Sequence, residues 1–248
     1  MKILINGFLG HMGREVAKLC EAGYRGSEAV CGVDREEDMS LSVPCYAGFD
    51  GITAEVDCVV DFSHHSCTEA LLAYCTAKGL PLVLATTGQT DDERAAIAEA
   101  SKKIPLFFAA NYSLGIALLI ELAKKTAEAM PDAEIEIIEK HHDRKLDAPS
   151  GTALAIARAI QSVRPECELN PGRSGMAKRS PTEIGIHAIR MGNIVGEHEV
   201  MVGTPNQTII LKHEAHSRAL FAEGALAAAA WLMGKGPGLY DMSDMLSF

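Results

Sequence analysis

The chain has 248 residues, a formal net charge of −10, 48% hydrophobic residues and only 5% aromatic residues. This length suits one large domain or two modest ones, and the composition is typical of an alanine- and valine-rich globular α/β protein. The acidic balance argues against nucleic acid or an anionic membrane as a partner.

The cysteines and the apolar segments indicate the class of protein and its compartment. Seven cysteines are scattered singly, with no CxxC pair and no metal-ligand spacing, so we predict reduced, buried thiols and no metal site. The chain starts almost directly with a strand, without a basic-then-apolar leader, and charge interrupts its later apolar segments well short of a membrane span. We therefore expect a soluble cytoplasmic protein.

The first predicted element is the short apolar strand 1–6, followed at once by a glycine-rich turn and a helix to about Ala22. The turn contains Gly7, Gly10 and Gly13. Glycines at such a strand-to-helix turn permit a tight bend, let the backbone approach a pyrophosphate and let the helix pack closely on the sheet. The spacing is GxxGxxG rather than the commoner GxGxxG, so a turn that serves packing alone is the alternative.

A second predicted strand, 28–33, ends in Asp34, which lies 21 residues beyond Gly13. An acidic side chain at this place can accept hydrogen bonds from a ribose diol, as in dinucleotide-binding folds. Arg35 follows directly and can pair with a 2′-phosphate, so NADH and NADPH both stay open. The alternative is that Asp34 is a solvated strand end.

Strands and helices alternate through the first 110 residues, which is typical of a doubly wound parallel sheet. The further predicted strands are 56–61, 81–85 and 106–109, and the helices between them are about 66–78 and 91–102. Polar residues follow these strands at 62–65, 86–88 and 111–113. Ligands of such folds bind beyond the carboxyl ends of the strands, where these residues are expected.

Beyond a helix at 114–129 the pattern changes to successive strands with few helices. Strands are predicted near 133–140, 183–191, 196–203 and 207–214, with a long loop at 170–181. We therefore predict an α/β protein with two domains, a dinucleotide-binding domain (1–111 plus 215–248) and a second domain of α+β character (112–214). The last helix, 217–232, is expected to pack back on the first domain.

The run EKHHDRKLDAPSGTA, 139–153, is the most informative segment of the chain. Alternation before it predicts a strand, the proline ends that strand, and a helix with an apolar face follows from Gly151. A helix N-terminus with unpaired N–H groups can bind a carboxylate or phosphate. The histidines and cations just before it add side-chain donors. The alternative is a solvated strand end with an ordinary N-cap.

These motifs together resemble the dihydrodipicolinate reductase family of bacterial lysine biosynthesis over nearly the whole chain. The segments that carry the resemblance are GxxGxMG at 7–13, the pair Asp34-Arg35, ATTG at 85–88, AANYS at 109–113, the histidine block at 139–153, IVGEHEV at 194–200 and HSRALFAEGALAAAAWL at 216–232. Two positions depart from the family pattern: Ala85 stands where glycine is more frequent, and Asp34 stands where a glutamate is often found. Both departures concern cofactor preference and affinity.

The resemblance implies a Rossmann-type nucleotide domain with a doubly wound parallel sheet. It implies that the second domain, 112–214, is an α+β mixed-sheet domain for substrate binding and oligomerisation, and that the chain forms a homotetramer. It implies reduction of 4-hydroxy-tetrahydrodipicolinate, a cyclic dicarboxylate, to tetrahydrodipicolinate with NADH and/or NADPH. It makes His141 the general acid and Lys145 a second catalytic donor. The implied contacts to the substrate carboxylates are His142, Lys145, Ser150, Gly151 and Thr152.

The resemblance also implies the residues of the cofactor site, all of which follow strands of the predicted parallel sheet. They are Gly7, Phe8, Leu9, Gly10, His11, Met12, Gly13, Asp34, Arg35, Ala85, Thr86, Thr87, Ala109, Ala110, Asn111 and Tyr112. For Asn111 and Tyr112 taken alone, a helix cap and its neighbour is the alternative, because Asn is a common cap.

Three other functions compete with this prediction. Another NAD(P)-dependent reductase of a small dicarboxylate would share the glycine turn without needing the histidine block. A non-catalytic module would bind NAD(P)H without turnover. A metal-dependent hydrolase could use His141, His142 and Asp143, but adjacent residues rarely converge on one tetrahedral ion.

Overall fold

The structure, a computed structural model, describes residues 1–246 and separates the chain into two units. Unit 1 comprises Met1–Ser113 together with the chain from Ala219 onward, and unit 2 comprises Leu114–Arg218. Among residues 1–246, no helix is both long and apolar enough to cross a membrane.

The secondary structure follows a βα alternation first and a run of strands later. In chain order the strands are β1 (Lys2–Asn6), β2 (Glu28–Val33), β3 (Cys45–Tyr46), β4 (Cys58–Asp61), β5 (Leu82–Leu84), β6 (Pro105–Phe108), β7 (Glu134–His141), β8 (Glu168–Pro171), β9 (Glu183–Arg190), β10 (Gly196–Thr204), β11 (Gln207–Ala215) and β12 (Gly238–Tyr240). The helices are α1 (His11–Glu21), α2 (Thr68–Lys78), α3 (Asp91–Ser101), α4 (Leu114–Ala129), α5 (Gly151–Gln161), α6 (Ala219–Leu232) and α7 (Met242–Met245).

Unit 1 is built on a seven-stranded sheet with the order β12-β6-β5-β4-β1-β2-β3, in which every neighbouring pair is parallel. Strands in the middle of such a sheet are covered on both faces, so they read as continuous apolar runs rather than as alternations. The run CVVD of β4 is buried at all four positions, and LVL of β5 at all three. This sheet confirms the predicted Rossmann-type fold.

Helix α6 returns the chain to the first sheet, as predicted. It contacts α1 and the strands β4, β5 and β6, and its small side chains allow that close packing. Gly224 shows why: a Cβ there would lie 1.7 Å from the carbonyl oxygen of Tyr112. The C-terminal part of the chain therefore belongs to the unit that contains the glycine-rich turn.

Unit 2 is built on a mixed sheet with the order β11-β10-β7-β9-β8. β10 runs antiparallel to β11 and β7, whereas β7 and β8 run parallel to β9. The alternating burial along β7 places Ile135 and Ile137 in the core. Helices α4 and α5 pack against each other, and their apolar residues, such as Leu119 and Ile156, join the same core cluster.

The structure differs from the sequence-based prediction at several short elements. β3, β8, β12 and α7 were not predicted, and the predicted loop at 170–181 begins inside β8. The last long helix begins at Ala219, two residues after the predicted Ser217. These elements are two to four residues long or lie at helix ends, where sequence patterns are weakest.

Candidate active site

The glycine-rich turn after β1 depends on two glycines for its shape. Gly7 has a φ of +80°, and a Cβ there would lie 2.6 Å from the carbonyl oxygen of Phe62. A Cβ on Gly13 would lie 2.1 Å from the carbonyl oxygen of Gly7. Glycine is therefore required at these two positions, for the bend and for the close approach of α1.

Gly10 is exposed, whereas the other two glycines of the turn, Gly7 and Gly13, are buried. It is the N-cap of α1 and offers no side chain to the first N–H groups of that helix. An uncapped helix N-terminus with a bare backbone at its tip suits a phosphate group. The residues around this turn therefore fit the pyrophosphate of a dinucleotide.

Asp34 is held directly beside the glycine-rich turn. One of its carboxylate oxygens accepts a 2.8 Å hydrogen bond from the Leu9 N–H and the other accepts one of 2.8 Å from the Arg35 N–H. The Phe8 side chain is buried against Gly32 of β2, where a Cβ would overlap it. The predicted acidic residue and the predicted turn are thus joined in the structure, with Arg35 exposed.

The segments 85–87 and 109–112 follow the neighbouring parallel strands β5 and β6, so they lie at the same edge of the sheet. Ala85 is partly buried, Thr86 is buried, and Thr87 and Ala110 are exposed. On the turn, His11 is exposed and Met12 is partly buried.

Tyr112 has a structural role in unit 1. Its side chain is buried, and its hydroxyl donates to the carbonyl oxygens of Leu84 at 2.9 Å and Phe107 at 3.1 Å. Asn111 accepts a 2.8 Å hydrogen bond from the Ser113 N–H through its side-chain oxygen. A cofactor contact at these two positions stays a prediction.

In unit 2, His141 is the last residue of β7, and its side chain is 12% exposed. Its Nδ1 lies 2.6 Å from Oε2 of Glu139. A Cβ at Gly196 on the neighbouring strand β10 would lie 3.1 Å from His141 Nε2, so the glycine leaves space beside that nitrogen.

The partner of His141, Glu139, is a fully buried carboxylate. The Arg190 guanidinium donates one N–H to each of its oxygens, at 2.7 and 2.9 Å, and the Ser150 N–H donates at 3.0 Å. Burial alone would raise the pKa of Glu139, but the hydrogen bonds from His141, Arg190 and Ser150 outweigh it and hold this pKa at about 2. Glu139 is therefore a carboxylate anion at neutral pH.

A second histidine, His198 on β10, closes the cluster from the other side. It is 3% exposed, its ring meets that of His141 edge to face at 5.2 Å, and its Nε2 lies 3.2 Å from Oγ of Ser150. Burial, with the nearby His141, lowers the pKa of His198 to about 4. His198 is therefore neutral at physiological pH.

Helix α5 begins at the predicted place. Ser150 is its N-cap, and its Oγ accepts a 3.2 Å hydrogen bond from the Ala153 N–H. Gly151 is exposed and Thr152 is partly buried at the tip of the helix. Because Ser150 and His141 bind the same carboxylate, the helix tip and the imidazole lie in one cluster.

Lys145 and His142 lie in the segment between β7 and α5. Lys145 Nζ forms a 2.8 Å ion pair with Asp147, and this hydrogen bond lowers the pKa of the Asp147 carboxyl. Burial lowers the pKa of His142, and the cations Arg144 and Arg218 lower it further. A backbone hydrogen bond from Gly151 at the tip of α5 also lowers the pKa of Asp147, so the Lys145 ammonium lies close to the helix tip.

Comparison with known proteins decides the family. The family profile described as "Dihydrodipicolinate reductase, N-terminus" matches residues 1–112, and "Dihydrodipicolinate reductase, C-terminus" matches residues 115–246. The chain belongs to the dihydrodipicolinate reductase family. This membership confirms the predicted family, an oxidoreductase, and NAD(P)H as its cofactor.

Whole-length relatives agree with this membership. A 4-hydroxy-tetrahydrodipicolinate reductase from Caldanaerobacter subterraneus subsp. tengcongensis is 46% identical over 99% of this chain and 98% of its own. One from Clostridium tetani is 45% identical over 100% and 97%.

Solved structures show the same fold. A dipicolinate-bound dihydrodipicolinate reductase from Paenisporosarcina sp. TG-14 superimposes with a TM-score of 0.83 and 25% identity, covering 99% of both chains. A myo-inositol dehydrogenase from Corynebacterium glutamicum has a TM-score of 0.60 and 17% identity, covering 96% of this chain and 90% of its own. The second likeness concerns the fold alone.

Sequence analysis of this reductase missed three residues that the structure brings to His141: Glu139, Arg190 and His198. A signal existed for Glu139, because residues two apart on a strand point to the same face, and Glu139 precedes His141 by two. Arg190 is the residue opposite His141 in the β7–β9 register, and His198 is opposite Glu139 in the β7–β10 register. That register is not visible in one sequence.

Proposed function

We propose that this reductase converts 4-hydroxy-tetrahydrodipicolinate to tetrahydrodipicolinate with NADH or NADPH, in the lysine and diaminopimelate pathway, with His141 as the general acid. The observation that carries the proposal is the Glu139 carboxylate, which binds both His141 Nδ1 and the N–H of Ser150 at the tip of α5. The buried Glu139 carboxylate thereby holds the proton donor, His141, next to the helix N-terminus that is proposed to bind the substrate carboxylates.

The substrate is a ring with two carboxylates, and the N-terminal tip of α5 supports binding of such a dianion. We assign contacts to Lys145, Ser150, Gly151 and Thr152, because a lysine ammonium and a helix N-terminus both favour negative charge. His142 adds a side chain that is largely neutral and can donate a hydrogen bond without repelling the cations beside it. The dipicolinate in the Paenisporosarcina reductase is also a cyclic dicarboxylate.

The 4-hydroxyl group leaves as water together with one hydrogen of the ring, and the ring gains a hydride and a proton. The bound nicotinamide cofactor supplies the hydride. His141 supplies the proton, since a histidine is suited to proton transfer near neutral pH. Lys145 stabilises the negative charge that develops on the substrate during the reduction.

For the cofactor, we assign binding to residues 7–13, Asp34, Arg35, 85–87 and 109–112. The exposed, uncapped N-terminus of α1 at Gly10 supports binding of the pyrophosphate. The Asp34 carboxylate, fixed by two backbone N–H groups, suits a ribose diol and repels a 2′-phosphate. We therefore propose that NADH is used at least as well as NADPH.

The test of this function is oxidation of NADH, followed by absorbance, with substrate made freshly by the synthase that precedes the reductase. Parallel reactions contain other cyclic and linear dicarboxylates. Turnover that depends on the synthase product supports the proposal. Turnover with a different dicarboxylate alone would instead establish another reductase of this architecture, and NADH binding without turnover would indicate a sensing module.

The same assay with NADPH tests the role of Asp34. We expect kcat/KM for NADH to equal or exceed that for NADPH, and Asp34→Asn to shift the ratio toward NADPH because a negative charge is removed. A strong NADPH preference in the wild type would contradict the assignment.

We further propose a homotetramer in the cytoplasm. The edge strand β11 exposes Ile209 (38%) and Ile210 (54%), which is a surface that a second subunit can cover. All seven cysteines are free thiols, which suits a reducing compartment. Sedimentation equilibrium measures the assembly directly, and a monomer at micromolar concentration would contradict it.

A further inference from the structure

The carboxylate of Glu139 has no exposed atom and four hydrogen-bond donors. Oε2 accepts from His141 Nδ1 at 2.6 Å and from Arg190 at 2.9 Å; Oε1 accepts from Arg190 at 2.7 Å and from the Ser150 N–H at 3.0 Å. A buried charge is costly unless it is paired and its lone pairs are satisfied, and here both conditions hold. The arrangement is therefore fixed by packing rather than by a flexible surface contact.

This arrangement determines which nitrogen of His141 can reach a ligand. Nδ1 is occupied by its hydrogen bond to Glu139. An imidazole N–H bonded to a carboxylate also fixes the orientation of the ring. Nε2 points toward Gly196, where the missing side chain leaves space beside it. Any other residue at 196 would place a Cβ 3.1 Å from that nitrogen.

We propose that Glu139 is a positioning residue that makes Nε2 of His141 the proton-donating atom, and that Arg190 holds the Glu139 carboxylate in place as an anion. The proposal rests on His141 as general acid and adds the atom that donates and the groups that orient it. After donation the imidazole is neutral with its remaining proton on Nδ1, hydrogen-bonded to Glu139.

Other charges around His141 come from several elements and bear on its pH dependence. His198 on β10 lies against its ring, Arg190 on β9 lies behind Glu139, and His142 and Lys145 are in the segment that follows β7. Among these, Glu139 is the carboxylate that contacts the imidazole. Among these residues, removing the charge of Glu139 should therefore have the largest effect on the alkaline limb of the pH profile of activity.

The first experiment compares Glu139→Gln with the wild-type enzyme in the NADH assay across a range of pH. We expect kcat to fall at least tenfold with KM for both substrates within about threefold, and the alkaline loss of activity to begin at lower pH, because the negative charge beside the imidazole is removed. Glu139→Asp, which keeps the charge, should restore the position of the alkaline limb. An unchanged pH profile with kcat within threefold of the wild type would overturn the proposal.

The chain offers a matched control in the same sheet. Glu136 also binds an arginine and a histidine, Arg179 at 3.1 Å and His187 at 2.9 Å, but it lies outside the cluster around His141. Glu136→Gln should leave kcat and the pH profile unchanged. Equal effects of the two variants would mean that Glu139 acts only through the stability of the sheet, which contradicts a positioning role.

A second measurement needs no variant at Glu139 and decides the matter if Glu139→Gln fails to fold. Nitrogen NMR of the wild-type enzyme, with the His141 signal assigned by its absence in His141→Gln, reports which ring nitrogen carries the proton in the neutral form. We expect the proton on Nδ1. A proton on Nε2 would overturn the proposal, and it would do so without bearing on whether the enzyme reduces its substrate.

Discussion

His141 and Lys145 lie four residues apart in the sequence, but the structure holds them in different ways. His141 is bound to a fully buried carboxylate, whereas Lys145 pairs with Asp147, whose side chain is 57% exposed. An exposed ion pair is worth little and is easily exchanged. We therefore propose that Lys145 exchanges Asp147 for a carboxylate of the substrate.

We predict that Lys145→Ala raises KM for the dicarboxylate and lowers kcat. A hydrogen bond to a charged group contributes roughly 1.5–3 kcal/mol, which corresponds to an increase of about 10- to 100-fold in KM. Steady-state kinetics with varied substrate and saturating NADH measure this. Lys102→Ala removes a lysine from an exposed pair in unit 1 and serves as the control. An effect on the KM for NADH alone would show that the assignment of Lys145 is wrong.

His198 makes the stability of unit 2 depend on pH. Its pKa in the folded chain, about 4, lies below the ordinary value of 6.5, so the unfolded chain binds a proton first as the pH falls. His198 therefore destabilises the fold progressively below about pH 6.5, by up to roughly 3 kcal/mol when the pH reaches 4.

We predict that His198→Gln loses less free energy of unfolding between pH 7 and pH 4 than the wild type does. Denaturant unfolding followed by circular dichroism at several pH values measures the slope, and His187→Gln controls for the loss of a histidine from this sheet. A His198→Gln slope equal to that of the wild type would show that His198 does not titrate in this range.

The glycine-rich turn is an element whose three glycines have separate roles. A Cβ on Gly13 would meet backbone at 2.1 Å, whereas the nearest atom to a Cβ on the exposed Gly10 lies at 3.1 Å. We predict that Gly13→Ala lowers the free energy of unfolding by roughly 1–3 kcal/mol, as overpacking does, and that Gly10→Ala lowers it less.

For NADH affinity we expect the opposite order, with a larger effect of Gly10→Ala than of Gly13→Ala. Gly10→Ala should weaken binding without unfolding the chain, because the second glycine of such a turn lets the backbone approach the pyrophosphate. Fluorescence titration with NADH and denaturant unfolding measure both effects. Equal losses of stability in the two variants would contradict these separate roles.

Long elements could be predicted from the sequence because their patterns persist over many residues. Helix α4 and strand β2 have the predicted bounds, Leu114–Ala129 and Glu28–Val33. β3, β8 and β12 could not be predicted, because they are two to four residues long and form through pairing with longer neighbours. β8 even ends in Pro171, which a strand tolerates at the edge of a sheet.

Part of the cluster around His141 could be predicted from the sequence and part could not. His141 and Ser150 belong to one contiguous motif, so a strand followed by a capped helix could be predicted from the residues themselves. Arg190 and His198 come from β9 and β10, 49 and 57 residues beyond His141. Their approach depends on sheet register, which a single sequence does not specify.

The whole molecule combines a parallel sheet that carries the glycine-rich turn with a mixed sheet that carries the histidine cluster. Family profiles match each part, at residues 1–112 and 115–246, and relatives match along the full length. In an acidic chain of net charge −10, we propose that the cations at 140, 144 and 145 provide local attraction for a dianion. The reductase activity is thus a property of the entire chain.

The most direct test of this account is the turnover of His141→Gln with freshly made 4-hydroxy-tetrahydrodipicolinate and NADH, beside the wild type and the control His187→Gln. We predict that kcat falls by roughly two to four orders of magnitude in His141→Gln, the range for a lost general acid, with NADH affinity within about threefold. The control should retain wild-type turnover. Wild-type turnover in His141→Gln would contradict the account.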